Sequence, residues 1–462
     1  MKKILILGAG ITGLSTAWKL SNKGYDVTLI EKDTKVGGLA KTINFKENYF
    51  DIGPHSFFSE DKEIYEVVTS LFDNIHEEIP KVKRSVKMFF MNYYVDYPLS
   101  AKSILFQMGP IIPFLSFISF MKSFIKSFFI KKTDKKNLTV EKWARENFGN
   151  FLFKNFFKPY TEQFWKISTE GLSHRVIPAS KKLDFAKTLK HLFVNKYLEF
   201  SKREPGSLNL VQRESLPTFY PKKGFGEISK KIAEKFKNNN GKINLNEQVE
   251  EVVLEKNNEF IVKTNKTTYK GDIVISTLPL DYFVEIFNPL NKNKKSTDAS
   301  KRLNYLSLTM LYLIIKKKDV LGCQYCYFIN RPYNRVSNLN LFSDEVSVKG
   351  TNAISIEISC HKDSQIWKQK DKEIFDLCIQ SLEKDKILNK EDVLDWKVLK
   401  VPNVYPIYKM NYENDLNVIE NEFKNIKNFY SIGRLGQFYY GDIDQMIRLG
   451  FDTSEKIISK EI

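Results

Sequence analysis

Cysteine is scarce in this chain of 462 residues, and its scarcity argues against a disulfide framework and against a cysteine metal site. Four cysteines in so long a sequence do not form the disulfide framework of a small secreted domain. Cys323 and Cys326 form a CxxC pair, but no second pair exists to complete a metal site. Both lie in an aromatic, strand-like stretch. We therefore predict buried thiols and no bound metal.

Long apolar runs are also scarce. The most apolar stretch, residues 104–130, is broken early by a glycine and two prolines, whereas about 20 uninterrupted apolar residues are needed to span a bilayer. From Pro113 onward the apolar residues have helical spacing, with Lys122 and Lys126 on another side. Two interpretations stay open: a helix packed in the protein's own core, or an amphipathic helix making a peripheral contact with an anionic membrane.

Acidic residues are outnumbered by basic ones. The counts of 72 Lys+Arg and 55 Asp+Glu give a net charge of +17, which favours an acidic partner such as a phosphorylated small molecule or an anionic membrane. The basic residues are dispersed and no nucleic-acid-binding motif is present, so no nucleic-acid partner is predicted. The start, MKKILILGAG, has the order of a signal peptide, but its glycines fit a folded turn better, and a cytoplasmic protein is predicted.

The first 31 residues contain a dinucleotide-binding pattern. A short apolar strand leads into Gly8-Ala-Gly10-Ile-Thr-Gly13, which opens a helix. These glycines permit a tight turn, close approach of the backbone to a pyrophosphate and close helix–strand packing. The helix N-terminus presents free N–H groups to the phosphates. A second strand ends at Glu31, where a carboxylate can accept both hydroxyls of an adenosine ribose.

Two further segments favour FAD over NAD. KVGGLA (residues 35–40) follows the second strand, and YSIGR (residues 430–434) lies near the C-terminus. The first resembles the second fingerprint of the amine oxidase-like flavoproteins, although those often carry arginine at its first position. The second resembles their ribityl-binding segment. The resemblance implies bound FAD, and the cofactor-binding residues that it adds to the glycines and Glu31 are Lys35, Gly38, Leu39, Gly433 and Arg434.

The resemblance and the patterning together imply an α/β fold. We expect a Rossmann-type FAD-binding domain with a helical insertion and an antiparallel β-sheet substrate domain. The FAD-binding parts are predicted at residues 1–84, 217–290 and 401–462, the mostly helical insertion or substrate domain at 85–216, and the antiparallel sheet at 291–400. The strongest local elements are strands at 3–7, 26–30, 272–277 and 429–432, paired strands within 85–98, and helices at 11–21, 228–236 and 372–382.

Several segments narrow the resemblance to the UDP-galactopyranose mutases. GPHSF (residues 53–57) resembles the mutase loop whose histidine, here His55, lies against the flavin ring. PYTEQFW (residues 159–165) resembles a segment in which a tyrosine stacks on the uracil and a tryptophan borders the sugar pocket. The resemblance therefore implies substrate contacts for Tyr160 and Trp165.

The same resemblance supplies ligands for a diphosphate. Arg175 stands where mutases of the eukaryotic type place a diphosphate-binding arginine, and RPYNR (residues 331–335) resembles the segment that delivers a second one. Arg335 is the expected counterpart there, although Arg331 competes for the role. Arginine suits it because a guanidinium binds two phosphate oxygens at once. Tyr405, in VYP, resembles a phosphate-binding tyrosine of these mutases.

The C-terminal segment GRLGQFYYGDID (residues 433–444) gives the strongest match. It implies that Tyr440 binds phosphate, that Asp442 contacts the substrate, and that Asp444 lies beside the flavin at a helix N-terminus. Acids at that position also cap helices, and both interpretations stay open.

The resemblance implies a reaction carried by the cofactor. No Ser-His-Asp set, metal cluster or obvious carboxylate pair is visible in the sequence, which fits that expectation. In the mutases, N5 of the reduced flavin attacks the anomeric carbon of a nucleoside-diphosphate sugar, and the ring recloses as a pyranose or furanose, in surface-glycan biosynthesis. His55, Arg175 and Arg335 are the expected catalytic residues. An external reductant such as NAD(P)H is an expected partner.

The alternative function is redox chemistry on the same fold. FAD-dependent oxidases and desaturases of the protoporphyrinogen oxidase or amine oxidase type share the N-terminal pattern and the closing glycine segment. Their substrates are mostly apolar, so they do not need Arg335 and Tyr440 to face a diphosphate. The state of the flavin during turnover distinguishes the two functions.

Overall fold

The computed structural model describes five stretches of the chain, namely residues 2–99, 101–129, 137–177, 216–317 and 320–460. The gaps affect several predictions. Residues 100, 130–136 and 178–215 of the predicted helical insertion lie outside the described residues, and residue 130 is also the end of the apolar stretch. Residues 318–319 of the predicted antiparallel sheet lie outside them too.

The strands are numbered here in chain order. They are β1 Lys3–Leu7, β2 Asp26–Ile30, β3 Thr42–Phe45, β4 Asn48–Asp51, β5 Val86–Phe90, β6 Tyr93–Asp96, β7 Lys242–Asn244, β8 Val249–Leu254, β9 Phe260–Thr264, β10 Thr268–Gly271, β11 Ile273–Ser276, β12 Tyr305–Lys316, β13 Tyr325–Phe328, β14 Arg335–Asn338, β15 Thr351–Cys360, β16 Val393–Pro406 and β17 Phe429–Ser431.

The α-helices are numbered in the same way. They are α1 Ile11–Ser21, α2 Lys62–Thr69, α3 Ile75–Glu78, α4 Ala101–Gln107, α5 Ile111–Phe129, α6 Val140–Leu152, α7 Lys158–Trp165, α8 Gly226–Asn238, α9 Leu280–Ile286, α10 Asn288–Asn291, α11 Lys294–Arg302, α12 Gln365–Lys368, α13 Asp371–Lys384, α14 Tyr412–Lys424, α15 Gly433–Gly436 and α16 Ile443–Ser459.

A five-stranded parallel sheet forms the first layer of the fold. Its strand order is β17-β11-β1-β2-β7, and each neighbouring pair is parallel. β1 is buried along most of its length, as expected for a strand in a sheet that is covered on both faces. α1 packs against α8 and α16. The predicted strands at 3–7 and 26–30 and the helix at 11–21 are confirmed at their predicted bounds.

A seven-stranded sheet forms the second layer. Its order is β16-β12-β15-β14-β13-β5-β6, and its pairs are antiparallel except β13 with β5, which is parallel. The predicted antiparallel sheet is therefore confirmed apart from this one pair. β16 continues to Pro406, which places Tyr405 on the sheet. The predicted buried thiols are also confirmed, since the four cysteines are free and buried.

A helical layer covers one end of the seven-stranded sheet. α4, α5, α6 and α7 belong to it, and a π-helical turn at Phe153–Phe157 joins α6 to α7. α5 and α6 approach very closely at Gly149, where a Cβ would lie 2.7 Å from the Ser119 carbonyl carbon. The Phe151 N–H donates to the Ser119 hydroxyl at 2.8 Å. α5 is therefore held against the protein along one face.

Candidate functional site

The glycine-rich turn after β1 forms part of the wall of a large cleft. Gly8 has φ +103°, a left-handed conformation that glycine adopts without strain. A Cβ on Gly13 would lie 2.2 Å from the Gly8 carbonyl oxygen, so only glycine lets α1 pack this closely on the turn. Gly10 differs from both, because a Cβ there would meet no protein atom within 4 Å. Its open side faces the cleft.

The cleft has a volume of about 1420 Å³ and lies at the carboxyl ends of the parallel strands. Four of its lining residues follow the ends of β1, β2, β11 and β17, and they are Gly8, Glu31, Thr277 and Gly433. Ligands of open parallel sheets bind at this edge. His55 and Arg434 line the cleft too. The cleft therefore connects the glycine-rich turn with His55, which is predicted to be catalytic.

Glu31 is oriented by the backbone on both sides of it. Its Oε2 accepts a hydrogen bond from the Ala9 N–H at 2.7 Å, and its Oε1 accepts one from the Asp33 N–H at 2.9 Å. These two donors compensate a carboxylate that is almost fully buried. Each carboxylate oxygen has a further lone pair, so Glu31 can still accept ribose hydroxyls, as predicted for it.

The second predicted cofactor segment meets the glycine-rich turn directly. A Cβ on Gly38 would lie 3.0 Å from the Gly10 Cα, and Leu39 lines the cleft. Lys35 is exposed and does not line the cleft, so the structure gives its predicted contact with the cofactor no geometric support. Lys41, which the sequence analysis did not select, does line it.

The C-terminal segment closes against the start of α1. Gly433 has φ +86°, and a Cβ there would lie 3.2 Å from the Thr12 hydroxyl. Arg434 is held by a hydrogen bond from its Nη2 to the Gly441 carbonyl at 2.6 Å. Gly433 and Arg434 both line the cleft, which is where their predicted cofactor role requires them to be.

The two acids of this segment have different partners. Asp442 is the N-cap of α16 and forms a reciprocal capping box with Gln445, whose side chain accepts from the Asp442 N–H at 2.9 Å. The capping interpretation is thus confirmed for Asp442, while its contact with a substrate stays a prediction. Asp444 is buried in the first turn of α16 and accepts a hydrogen bond from the Ser59 hydroxyl at 3.0 Å.

His55 lies at the inner end of the cleft. Its ring stacks on Phe225 at a centroid distance of 5.1 Å, and its Nδ1 is buried with no hydrogen-bond partner among the described residues. Burial, followed by the charges of Arg434 and Arg335, lowers the pKa of His55 to about 3. The imidazole is therefore neutral at physiological pH, with one ring nitrogen ready to meet a bound group.

Arg335 is fixed beside His55 by a buried ion pair. Its Nε and Nη2 donate to the two oxygens of Glu357 at 2.5 and 2.7 Å, and its Nη1 donates to the Tyr327 hydroxyl at 3.2 Å. The same Nη2 would lie 3.2 Å from a Cβ on Gly53. Burial opposes the charge of Arg335, but Glu357 outweighs it and keeps the guanidinium pKa above its ordinary value.

Arg331 does not compete for this position. Its Nε and Nη2 donate to both oxygens of Asp385 at 2.6 and 2.7 Å, and its guanidinium lies over the Phe89 ring. The structure therefore places Arg335, and not Arg331, next to His55.

Three predicted substrate residues form one aromatic cluster with Arg434. The Tyr405 and Tyr440 rings are 5.4 Å apart, and Trp165 contacts them at 6.2 and 5.9 Å. The Arg434 guanidinium lies over both tyrosine rings, at 5.6 and 5.7 Å. Burial raises the pKa of Tyr405 and of Tyr440 well above the ordinary value, so both hydroxyls stay protonated and can donate.

Tyr160 joins this cluster from the helical layer. Its ring contacts Tyr327 edge-on at 5.9 Å, and Tyr327 in turn lies 4.6 Å from the Tyr97 ring. Burial and these neighbouring tyrosines raise the pKa of Tyr160 well above its ordinary value. Tyr160 is therefore a neutral aromatic surface beside Arg335.

Arg175 is the predicted catalytic residue that the structure does not bring to the cluster. It is exposed, and its Nε lies 2.8 Å from the Glu413 carboxylate. Within the described parts of the chain, Arg175 is connected to the cluster through other residues. Arg175 interacts with Tyr412, Tyr412 stacks on Tyr408, and the Tyr408 hydroxyl accepts from the Tyr440 N–H at 2.8 Å. Its direct contact with a diphosphate stays a prediction.

The residues present fit a dinucleotide cofactor. Gly10 with its open side, Glu31 with its compensated carboxylate, and His55 all line one cleft. The sequence analysis missed two residues of the site. Glu357 could have been noticed as a lone acid inside the apolar run AISIEIS. Phe225 lies between two glycines and stacks on His55.

Comparisons with known proteins identify relatives of this chain. The model of the family described as flavin containing amine oxidoreductase matches residues 11–415 of the chain. A curated relative, the 1-hydroxycarotenoid 3,4-desaturase of Flavobacterium sp. (strain P99-3), is 25% identical over 331 residues, which cover 69% of this chain and 64% of the relative. The match thus spans less than two thirds of that relative's length.

Solved structures share the whole architecture. The crystal structure of a reduced UDP-galactopyranose mutase superposes with a TM-score of 0.82 at 19% identity, covering 99% of this chain and 96% of the other. A protein of Exiguobacterium sp. 255-15 assigned as a protoporphyrinogen oxidase superposes with a TM-score of 0.75 at 13% identity, covering 99% and 98%. At these identities the likeness shows the fold alone.

Proposed function

Since this chain belongs to the family of flavin-containing amine oxidoreductases, we propose that it binds FAD in the cleft and is a nucleoside-diphosphate-sugar mutase. It would interconvert the pyranose and furanose forms of a sugar for surface glycans. The glycine-rich turn, Glu31 and the Gly433–Arg434 segment would hold the FAD. When bound and reduced, the flavin supplies a nucleophilic nitrogen, N5, for such a reaction.

The observation that carries the proposal is the pair of guanidinium groups beside His55. Arg335 and Arg434 both act on the His55 imidazole electrostatically, and both charges also act on the neutral hydroxyls of Tyr405 and Tyr440. Two fixed cations with adjacent hydroxyl donors are suited to a diphosphate. An apolar substrate gives no reason to place two guanidinium groups here.

Each group has a defined task in this proposal. Arg335 and Arg434 bind the diphosphate and stabilise the charge that develops on it as the sugar–phosphate bond breaks, each contributing about 2–4 kcal/mol. Tyr405 and Tyr440 orient the phosphate oxygens, and Tyr160 offers its ring to the base. His55 stays neutral and exchanges a hydrogen bond at Nδ1. To reach a diphosphate, Arg175 would have to leave Glu413. Arg434 therefore takes the second cationic role, in addition to its place in the cofactor cleft.

A test follows from the redox balance of the reaction. A mutase returns its cofactor to the starting state each turnover, so it needs a reductant, such as NAD(P)H, only once. We expect the anaerobic, dithionite-reduced enzyme to convert many equivalents of a nucleoside-diphosphate sugar without reoxidation of its flavin. The products are identified by NMR from a panel of nucleotide sugars, and the flavin is followed by its absorbance.

Arginine variants provide the matched control. Arg335→Lys should lower kcat/KM by about 10²–10³-fold, because lysine lacks the two-pronged geometry that fixes the cation on both Glu357 oxygens. Arg331→Lys changes an equally ion-paired arginine that contacts Asp385 instead of the cluster, and should leave kcat/KM near that of the wild type. Equal losses in both variants, or none in either, would contradict the diphosphate role of Arg335.

A second candidate function is oxidation or desaturation. The observation in its favour is the match to a desaturase over 69% of the chain. In that case a bound flavin would supply the oxidising power, and oxygen, a quinone or another acceptor would be reduced once per turnover. Bleaching of oxidised flavin by an apolar substrate, with one product per acceptor reduced, would replace the mutase proposal.

A further inference from the structure

Among the described side chains of α4 and α5, eight large apolar ones are exposed. The most exposed are Phe106 at 80%, Ile111 at 70%, and Phe114 and Phe117 at 63% each. The others are Leu105, Leu115, Phe124 and Ile125. Contiguous apolar patches of this kind mark interaction surfaces on soluble proteins. We call these eight residues the outer face.

The outer face is apolar although the opposite side of α5 already fills a core. Ile112 and Ser116 are buried on the inner side, where α5 packs on α6. An ordinary surface helix has one apolar stripe directed to the core and polar residues opposite it. On α5 the exposed positions Ile111, Phe114 and Phe117 are apolar as well, so burial inside the protein leaves them unexplained.

Positive charge accompanies the outer face. Lys122 and Lys126 are exposed on α5, and they follow Ile111 and Leu115 along the same side of the helix, at spacings of seven, eleven and fifteen residues. Between Asp96 and Asp134 the sequence contains lysines but no acidic residue. The surface therefore combines exposed aromatic rings with a local excess of cations.

We propose that the outer face docks on an anionic lipid bilayer, with α4 and α5 lying in the interface between headgroups and acyl chains. Apolar side chains enter the boundary while Lys122 and Lys126 meet lipid phosphates, which is how amphipathic helices bind membranes. Among the described helices, none has the length and apolar character needed to cross a bilayer, so the contact is peripheral.

A second copy of the chain fits this face less well. A two-fold interface brings the same patch of both subunits together, so the lysines of one α5 would face those of the other. Like charges that oppose one another at an interface are unfavourable. Anionic lipid instead complements both properties of the face.

The same layer also borders the functional site. Its core contains Tyr327, with Tyr160 and Tyr97 partly buried against it, and these are the tyrosines next to Arg335. Docking through α4 and α5 would therefore hold this wall of the site near the lipid surface. The inference does not depend on whether the enzyme is a mutase or an oxidase.

Vesicle sedimentation tests the proposal with the flavin-loaded protein. We expect binding to vesicles of phosphatidylcholine with phosphatidylglycerol, weaker binding to phosphatidylcholine alone, and loss of the difference at high salt because the lysine contribution is screened. No binding to either vesicle would overturn the proposal.

Substitutions on the face give the sharper test. Phe114→Ser combined with Phe117→Ser should weaken vesicle binding at least tenfold, and Lys122→Gln combined with Lys126→Gln should weaken binding to the anionic vesicles alone, by about fivefold per lysine. Leu394→Ser is the matched control, since Leu394 is 52% exposed on β16 and should leave binding unchanged.

The oligomeric state distinguishes docking on a membrane from dimerisation through the outer face. Light scattering should give the same mass for the wild type and the double Phe variant. A wild-type dimer that dissociates in the double Phe variant would show that a second copy covers this face, and would overturn the membrane proposal. Equal loss of vesicle binding in Leu394→Ser would also overturn it, because the effect would not be specific to the outer face.

Discussion

At the scale of single residues, the site depends on the positive charge of Arg335, which the Glu357 carboxylate already compensates. Arg335 and Glu357 are directly opposite each other on β14 and β15, so the strand register forms the pair. Both side chains are buried. Removing one partner of such a pair leaves an uncompensated charge. Glu357 therefore holds Arg335 beside His55 and also limits how strongly the guanidinium attracts an anion.

This arrangement predicts opposite effects of one substitution on stability and on binding. Glu357→Gln should lower the free energy of unfolding by about 3–5 kcal/mol, because the Arg335 charge loses its partner. The same change should tighten binding of inorganic pyrophosphate several-fold, because the anion then meets an uncompensated cation. Denaturant unfolding measures the first effect, and isothermal titration calorimetry at a temperature where the variant is folded measures the second.

Asp385→Asn is the control for this prediction. It breaks the equally bidentate pair with Arg331, away from the cluster, and should lower stability without changing pyrophosphate affinity. A Glu357→Gln variant that loses stability but binds pyrophosphate as the wild type does would show that Arg335 is structural only.

The sequence predicted His55 and Arg335 because each belongs to a short motif. Glu357 could not be predicted in the same way, since its partner lies 22 positions away in the sequence and is fixed only by strand register. Arg175 shows the converse difficulty. Its position in the sequence matches a motif, but the competing carboxylate of Glu413 comes from a distant helix.

At the scale of elements, the turn between β1 and α1 separates two functions of glycine. Gly13 serves packing, because its missing Cβ leaves room for the Gly8 carbonyl, and Gly10 serves the ligand, because its open side faces only the cleft. Gly10 has φ −68°, which any residue can adopt. Alanine at position 10 therefore introduces neither strain nor a clash within the protein itself.

The two glycines should consequently respond differently to alanine. We expect Gly10→Ala to fold with the stability of the wild-type apoprotein but to retain less than about a tenth of the flavin, because the methyl group blocks approach of the pyrophosphate. Gly13→Ala should destabilise the apoprotein itself by about 1–3 kcal/mol through overpacking. Flavin absorbance per protein and apoprotein melting measure the two effects. Full flavin occupancy in Gly10→Ala would contradict a pyrophosphate at this turn.

The bounds of local elements could be predicted well because neighbouring residues specify them. β1, α1 and β2 are specified by neighbouring residues, namely an apolar run, three glycines and a second apolar run, and their bounds were right. The parallel pairing of β13 with β5 was not predicted. It joins segments more than 200 residues apart, and no local pattern encodes which strands become neighbours.

At the scale of the whole molecule, the two main layers share one core. The largest hydrophobic cluster includes Ile4 and Leu29 of the parallel sheet together with Met310 and Tyr312 of the seven-stranded sheet. The cleft, the aromatic cluster and Arg335 lie where these layers meet. This explains why the site residues come from distant parts of the sequence. Such convergence cannot be predicted from composition or periodicity, and here the motif resemblance alone anticipated it.

A single buried carboxylate ties several of these distant parts together. Asp51, at the end of β4, accepts hydrogen bonds from the Thr42 hydroxyl at 2.6 Å, the Tyr220 hydroxyl at 2.6 Å and the Phe225 N–H at 3.1 Å. Phe225 carries the ring on which His55 stacks. Asp51 is 1% exposed, and burial raises its pKa to about 6 despite these three donors.

The raised pKa of Asp51 predicts how the stability of the whole molecule varies with pH. The folded state binds the proton more tightly than the unfolded state, whose pKa is the ordinary 3.8. The stabilisation by Asp51 is therefore fully present below about pH 4 and is lost as the pH rises through about 6, by up to about 3 kcal/mol.

Asp51→Asn keeps the shape and the acceptor oxygen but does not titrate. The variant should thus gain stability relative to the wild type between about pH 4 and pH 7, measured by denaturant unfolding of the two apoproteins. Because the other carboxylates titrate equally in both proteins, a difference that stays constant over this range would mean that Asp51 is ionised throughout, and that its three donors outweigh its burial.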